Sequence, residues 1–164
     1  MYKLNSLQYT SSAVFTIDET YSVEPLKNND DFETLVTQFK KEFGYKSLNS
    51  FSFTKEGFLS LMLELDGKIA ISLGECEAIV QAGKLYEKLG NDVTWIGLYK
   101  SGEINYKQCE NIDADFFFVS SYIMDTFVQT SLERIKELTP ASLISNCSAD
   151  KYAKFADMIL FDAY

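Results

Sequence analysis

The chain has 164 residues, with 24 Asp or Glu against 15 Lys or Arg, a formal net charge of −9 and no histidine. The missing histidine excludes Ser-His-Asp and Cys-His catalysis and His-based zinc sites. Apolar residues at 46%, with 13 Phe and 10 Tyr, rule out a disordered chain and suffice for one core, so a single globular domain over residues 1–164 is expected.

In chain order, Val14-Phe15-Thr16-Ile17 reads as a strand, and Asn28-Asn29-Asp30 breaks it. A helix follows. Asp30 can cap it with Glu33 three residues on, Phe32, Leu35, Val36, Phe39 and Phe43 form one apolar stripe, and Gly44 ends it. Phe51 and Phe53 alternate with Ser52 and Thr54. Phe58 to Leu65 then reads as a strand covered on both faces. Asp66-Gly67 favours a tight hairpin turn into Lys68 to Leu73.

Glu75 to Leu89 has the apolar spacing of a helix, interrupted by Gly83 and stopped by Gly90-Asn91-Asp92. A second hairpin is expected from Val93 to Tyr99, a turn at Ser101-Gly102, and Glu103 to Tyr106. Helical rows place a helix from about Ser120 to Leu138, with a start at Ile112 as the wider option. Phe116-Phe117-Phe118-Val119 fits a buried strand equally well, because so short an apolar run has no deciding period. Thr139-Pro140 suits the start of a short helix, and Ser148 suits the cap of a last one through Tyr152, Phe155 and Ile159. These elements sum to an α+β domain. Its mainly antiparallel sheet is built from two hairpins, helices pack on at least one face, and the C-terminal third is helical.

Chemistry-bearing motifs are sparse. Gly97 and Gly102 have phosphate-loop spacing, but Glu103-Ile104 stand where Lys and Ser or Thr are needed, and there is no G-x-G-x-x-G. Asp113 and Asp115 make a D-x-D pair without the further oxygen ligands a cation site requires, so neither metal nor cofactor is expected. Cys76 lies between Glu75 and Glu77, and Cys109 precedes Glu110, so neighbouring anions disfavour a reactive thiolate. An odd, widely spaced set of three cysteines, completed by Cys147, reads as reduced thiols. Met1 to Ser6 lacks the apolar core of a signal peptide, and no run has the length of a membrane span. A cytoplasmic protein is expected.

The acidic excess falls in two stretches: six acids against Lys27 between Ile17 and Glu33, and five against Lys107 between Glu103 and Asp125. Such fields repel nucleic acid and anionic membranes and attract basic proteins. The leading expectation is therefore an acidic inhibitor of the immunity or antitoxin kind, neutralising a basic toxin such as a nuclease. Its contact surface would be Trp95, Tyr99, Glu103, Tyr106, Glu110, Asp113 and Asp115, where aromatic anchors adjoin the second acidic stretch. The first alternative is a small carboxylate-dependent enzyme or enzyme subunit, with Glu64, Asp66, Glu75 and Glu77 as its acids. A phage-type DNA mimic is the other alternative, though it needs more regularly spaced charge than two clusters supply.

Overall fold

The computed structural model describes residues 54–123, 126, 128–146 and 153–160, together with Thr34, Thr37 and Lys41. The chain divides into two compact units, Met1–Thr54 with Asp162–Tyr164, and Lys55–Phe161. In the first unit Thr34, Thr37 and Lys41 are helical and exposed. The strand expected at residues 14–17, the apolar stripe of the helix after Asp30, and Phe51 and Phe53 lie outside the described residues.

The second unit opens with helix α1 (Lys55–Glu64) and strand β1 (Ile69–Ser72). Helix α2 (Glu77–Lys88), strand β2 (Val93–Ile96) and a single helical turn α3 (Tyr106–Cys109) follow. Next come β3 (Phe116–Phe118), β4 (Tyr122–Ile123), β5 (Val128–Gln129), helix α4 (Leu132–Leu138), β6 (Ser142–Asn146) and β7 (Met158–Leu160). Five of the strands make one sheet in the order β2-β1-β3-β6-β7, and every pairing in it is parallel. The remaining two, β4 and β5, form a small antiparallel pair.

This overturns the expected mainly antiparallel sheet. The architecture is α/β. Residues 58–65 are the source of the error: a run of Phe, Leu and Met with few polar positions fits a doubly covered strand or a buried helix alike. In the fold residues 58–64 belong to α1, which buries Phe58 and Met62, one helical turn apart. Asp66-Gly67 therefore joins a helix to a strand rather than two strands. Gly67 is needed there for closeness, since a Cβ would sit 2.7 Å from Asp115 Oδ2.

The second expected hairpin survives only as a turn. Tyr99 N–H donates to Glu103 O at 2.7 Å and Leu98 bridges Ile104, with Gly102 at φ +86°, but β2 itself pairs parallel with β1. The helical C-terminal third is likewise replaced. Among the described residues beyond 120, only α4 is helical apart from one 3-10 turn, Ala153–Phe155. Thr139 Oγ1 accepts from Ala141 N at 3.1 Å, so Thr139-Pro140 closes α4 and leads into β6 instead of opening a helix.

Parallel partners share a face, so the register sorts the core. Ala70, Ile96, Phe117, Val119 and Leu143 pack with Leu132 and Ile135 of α4. Ile71 and Trp95 face the other way, against α2, which packs beside α1. Central strands buried on both faces read as continuous apolar runs, and β1 is buried at all four positions.

Gly83 shows how closely α2 sits on the sheet. A Cβ there would collide with Ile71 Cδ1 and lie 2.8 Å from Trp95 Cη2. Gly83→Ala gains about 1 kcal/mol of helix propensity, yet overpacking costs about 1–3 kcal/mol. The variant should be destabilised in urea unfolding, and Ile71→Val in the same chain should recover part of the loss. Gly83→Ala as stable as the parent would show that the helix rides further from the sheet.

Candidate functional site at the carboxyl edge of the sheet

Order β2-β1-β3 means that the chain leaves β1 to one side to form β2 and then returns on the other side to form β3. Open parallel sheets bind ligands in the crevice at such a reversal, outside the carboxyl ends of the strands. The loops that flank the crevice are Leu73 to Cys76 after β1 and Val119 to Ser121 after β3.

One hydrogen bond spans it. Ser120 Oγ donates to Glu75 Oε2 at 2.8 Å, and Glu75 is only 6% exposed. Burial pushes the Glu75 carboxyl from an ordinary 4.5 to about 7, against the opposing effect of donation from the Ser120 hydroxyl and backbone N–H. Desolvation thus outweighs two donors that favour the ionised form. The other oxygen, Oε1, has no partner among the described residues.

Local sequence explains the placement. Ser72 Oγ accepts from Gly74 N at 3.0 Å, and Glu75 N donates to Ser72 O at 3.1 Å, so the chain folds back as it leaves β1. Gly74 lets β4 close in, since a Cβ there would lie 2.8 Å from Ile123 Cδ1. Ile123 and Leu98 cover the turn that carries Glu75. Cys76 precedes α2, and its thiol is pushed up chiefly by burial, opposed by Ile79 N–H and reinforced by the Glu75 and Glu77 charges. That suits a packed thiol and not a nucleophile. Cys109 is buried and its thiol is pushed to about 11, mainly by burial.

The acidic and aromatic residues expected to form one contact surface are divided. Trp95 lies on the α2 face and donates from Nε1 to Glu87 at 2.9 Å. Tyr106 lies on the α4 side, with Arg134 4.2 Å above its ring and its hydroxyl accepting from Ser131 N. Tyr99 and Glu103 belong to the turn after β2, and Glu110 is exposed after α3. Asp113 and Asp115 stand at the amino end of β3, where Asp113 pairs with Lys68 Nζ at 2.6 Å and Asp115 accepts from Lys68 N at 2.8 Å. The D-x-D pair therefore anchors the start of β1 to β3.

No family model matches this sequence, and no curated protein matches it either. Among solved structures, a NifS-like protein superposes with a TM-score of 0.58 at 12% identity, covering 96% of this chain and 50% of its own. The two share a fold. A methionine gamma lyase from Micromonospora echinospora, in its apo form, superposes with a TM-score of 0.50 at 12% identity over 66% of this chain and 32% of its own. The chain thus spans half of the first neighbour and about a third of the second. This likeness overturns the expectation of an immunity-type inhibitor of a basic toxin: the fold is shared with a NifS-like protein and a methionine gamma lyase. Among the described residues, no helix is long and apolar enough to cross a membrane.

Of the acids weighed for the carboxylate-enzyme alternative, only Glu75 is buried; Glu77 is exposed on the first turn of α2, and Glu64 and Asp66 lie on the far side of β1. The sequence reads Ser120 as the start of a helix, and nothing in it sets that hydroxyl opposite Glu75.

Proposed function

We propose that this chain is part of an enzyme whose reacting centre lies at the carboxyl edge of the parallel sheet, with Glu75 exchanging a proton near neutral pH. The observation that carries the reading is the Glu75–Ser120 hydrogen bond across the strand-order reversal. A buried carboxyl that titrates close to 7 is matched to both halves of a proton transfer at physiological pH. Ser120 is the positioning residue: by donating to Oε2 it leaves Oε1 as the oxygen that gives or takes the proton.

Fold likeness alone does not fix a reaction. The methionine gamma lyase among the neighbours suggests sulfur-containing amino acids as the first substrates to try. Reactions at an amino acid's carbon skeleton commonly draw on pyridoxal phosphate, held as a lysine Schiff base with an acid or arginine at the ring nitrogen. Among the described residues, no lysine or arginine bonds to Glu75 or Ser120, so they do not make up that set and no step is routed through it.

Consumption of methionine, cysteine and homocysteine should be followed from pH 6 to 8. Expected is a rate inflection near 7 that moves to higher pH in Ser120→Ala, because removing a donor to the ionised carboxylate favours its protonated form. Rates indifferent to replacement of Glu75, or no consumption of any of the three, would overturn the proposal.

A further inference from the structure

Glu75 is only 6% exposed, and its oxygen Oε1 is buried without a hydrogen-bond partner among the described residues. A carboxyl that exchanges protons with a ligand must nevertheless be reached by one. What closes the site therefore decides how it is entered. Two glycines mark the closing contacts. A Cβ on Gly74, the residue before Glu75, would sit 2.8 Å from Ile123 Cδ1 and 3.3 Å from Leu98 Cδ2. A Cβ on Gly102, in the turn after β2, would sit 2.7 Å from Thr126 Cβ. Thr126 Oγ1 also donates to Gly102 O, but at 3.4 Å that bond is long and weak. The β4–β5 pair thus rests on two loops of the carboxyl edge, each time where the chain carries no side chain.

Its attachment is slight. The pair consists of Tyr122 opposite Gln129 and Ile123 opposite Val128, a sheet of its own apart from the five parallel strands. An isolated two-stranded hairpin is marginal in water, so its seat depends on what it buries. Of the four paired residues only Ile123 is buried, at 3% exposed; Tyr122 and Gln129 are exposed and Val128 is half-buried. The base, by contrast, is fixed. Thr130 N donates to Ser121 O at 2.9 Å, Val119 N donates to Ile144 O at 3.0 Å, and Ser120 holds Glu75. Elements with few buried apolar contacts open at much lower free energy than core strands. One inserted side chain above a fixed base lets the pair lift without unfolding the sheet.

We infer that the β4–β5 pair is a flap beside Glu75, latched by Ile123 against Gly74 and Leu98, and that a ligand reaches the carboxyl when it lifts. Closed, the flap contributes to the burial that, above all, raises the Glu75 carboxyl to about 7. Lifting pivots on the Ser121–Thr130 bond and leaves Ser120 in place, so the carboxyl keeps its positioning residue while access changes. Closure of such elements shuts water out of a site once substrate is bound. The inference rests on the reading of Glu75 as the proton-exchanging group and adds how that group is reached.

Carbodiimide coupling of glycine ethyl ester to the full chain at pH 6, read by peptide mass spectrometry, measures access directly. The reagent attacks the protonated carboxyl, the form Glu75 favours at that pH, so slow coupling there reports covering. Glu75 should couple at least about tenfold more slowly than exposed Glu77. Ile123→Ala removes the latch and should speed coupling at Glu75 about tenfold, with Glu77 unchanged. Phe116→Ala, at the far end of β3, should move neither rate by more than about twofold. Hydrogen exchange on the unmodified chain decides even where a variant misfolds. The Ile123 and Val128 amides should exchange at least about a hundredfold faster than those of Ile71 and Phe117. Coupling at Glu75 as fast as at Glu77, indifference to Ile123→Ala, equal acceleration by Phe116→Ala, or equal protection across hairpin and sheet would each overturn the flap. Any of these with Glu75-dependent turnover intact removes the flap alone; the expected coupling and exchange with turnover indifferent to Glu75 removes the enzyme reading.

Discussion

Glu75→Gln is expected to strengthen the fold at pH 8, leave it little changed near pH 4.5, and lower turnover by about 10²–10⁴-fold. The stability effect follows from linkage. Glu75 is buried and titrates at about 7 in the folded chain, against about 4.5 when exposed. Below 4.5 both states hold the proton, and the favourable contribution of the neutral carboxyl is complete. Between 4.5 and about 7 the folded chain keeps a proton that the unfolded chain has released, so stability falls as pH rises. Above about 7 the folded chain carries a buried carboxylate, and about 3 kcal/mol has been lost. Glutamine stays neutral throughout and retains an oxygen for the Ser120 hydroxyl. Urea unfolding of both chains at pH 4.5 and 8, with unchanged m-values, reads the difference directly. A variant stabilised equally at both pH values would mean that Glu75 does not titrate in this range. One weaker than the parent at pH 8 would mean that its charge is compensated.

On the proposed reading, a site residue that lowers stability at working pH fits a position kept for chemistry. The sequence offers Glu75 as one of four candidate acids without singling it out. Within Glu75-Cys76-Glu77 the two acids look alike, and both read as solvated carboxylates near a turn. What separates them is tertiary. Glu77 begins the exposed side of α2 and accepts from Gln81, whereas Glu75 is enclosed by the loops after β1 and β3. Helix α2 was legible from its apolar spacing and its Gly90-Asn91 stop, and β1 from Ile69-Ala70-Ile71. The direction of strand pairing was not. A parallel sheet needs long crossover connections where the sequence offers tight turns, and α1, which leads into β1, lies in an apolar run that a doubly buried strand would share. With residues 58–65 read as a strand, Asp66-Gly67 reads as a hairpin turn and the sheet as antiparallel.

The triple phenylalanine of β3 gives the second large effect. Phe117→Ala should cost about 3–5 kcal/mol, a substantial part of the roughly 5–15 kcal/mol that holds a typical domain. Phe117 and Phe118 are both fully buried on opposite faces of the sheet, Phe117 among Ala70, Leu132, Ile135 and Leu143, while Phe116 is only half-buried at the strand's start. Phe118→Ala should therefore be about as damaging as Phe117→Ala, and Phe116→Ala distinctly milder. Periodicity in the sequence cannot choose between helix and strand for this run, but the mutational pattern can. A helix rotates successive side chains by 100° and rarely buries two neighbours completely, whereas a central parallel strand covered on both faces does so by construction. Urea unfolding of the three alanine variants gives the pattern. Equal costs at 116 and 117, or a mild cost at 118, would contradict a strand with helices on both sides, and with it the crevice between β1 and β3 that places Glu75 opposite Ser120.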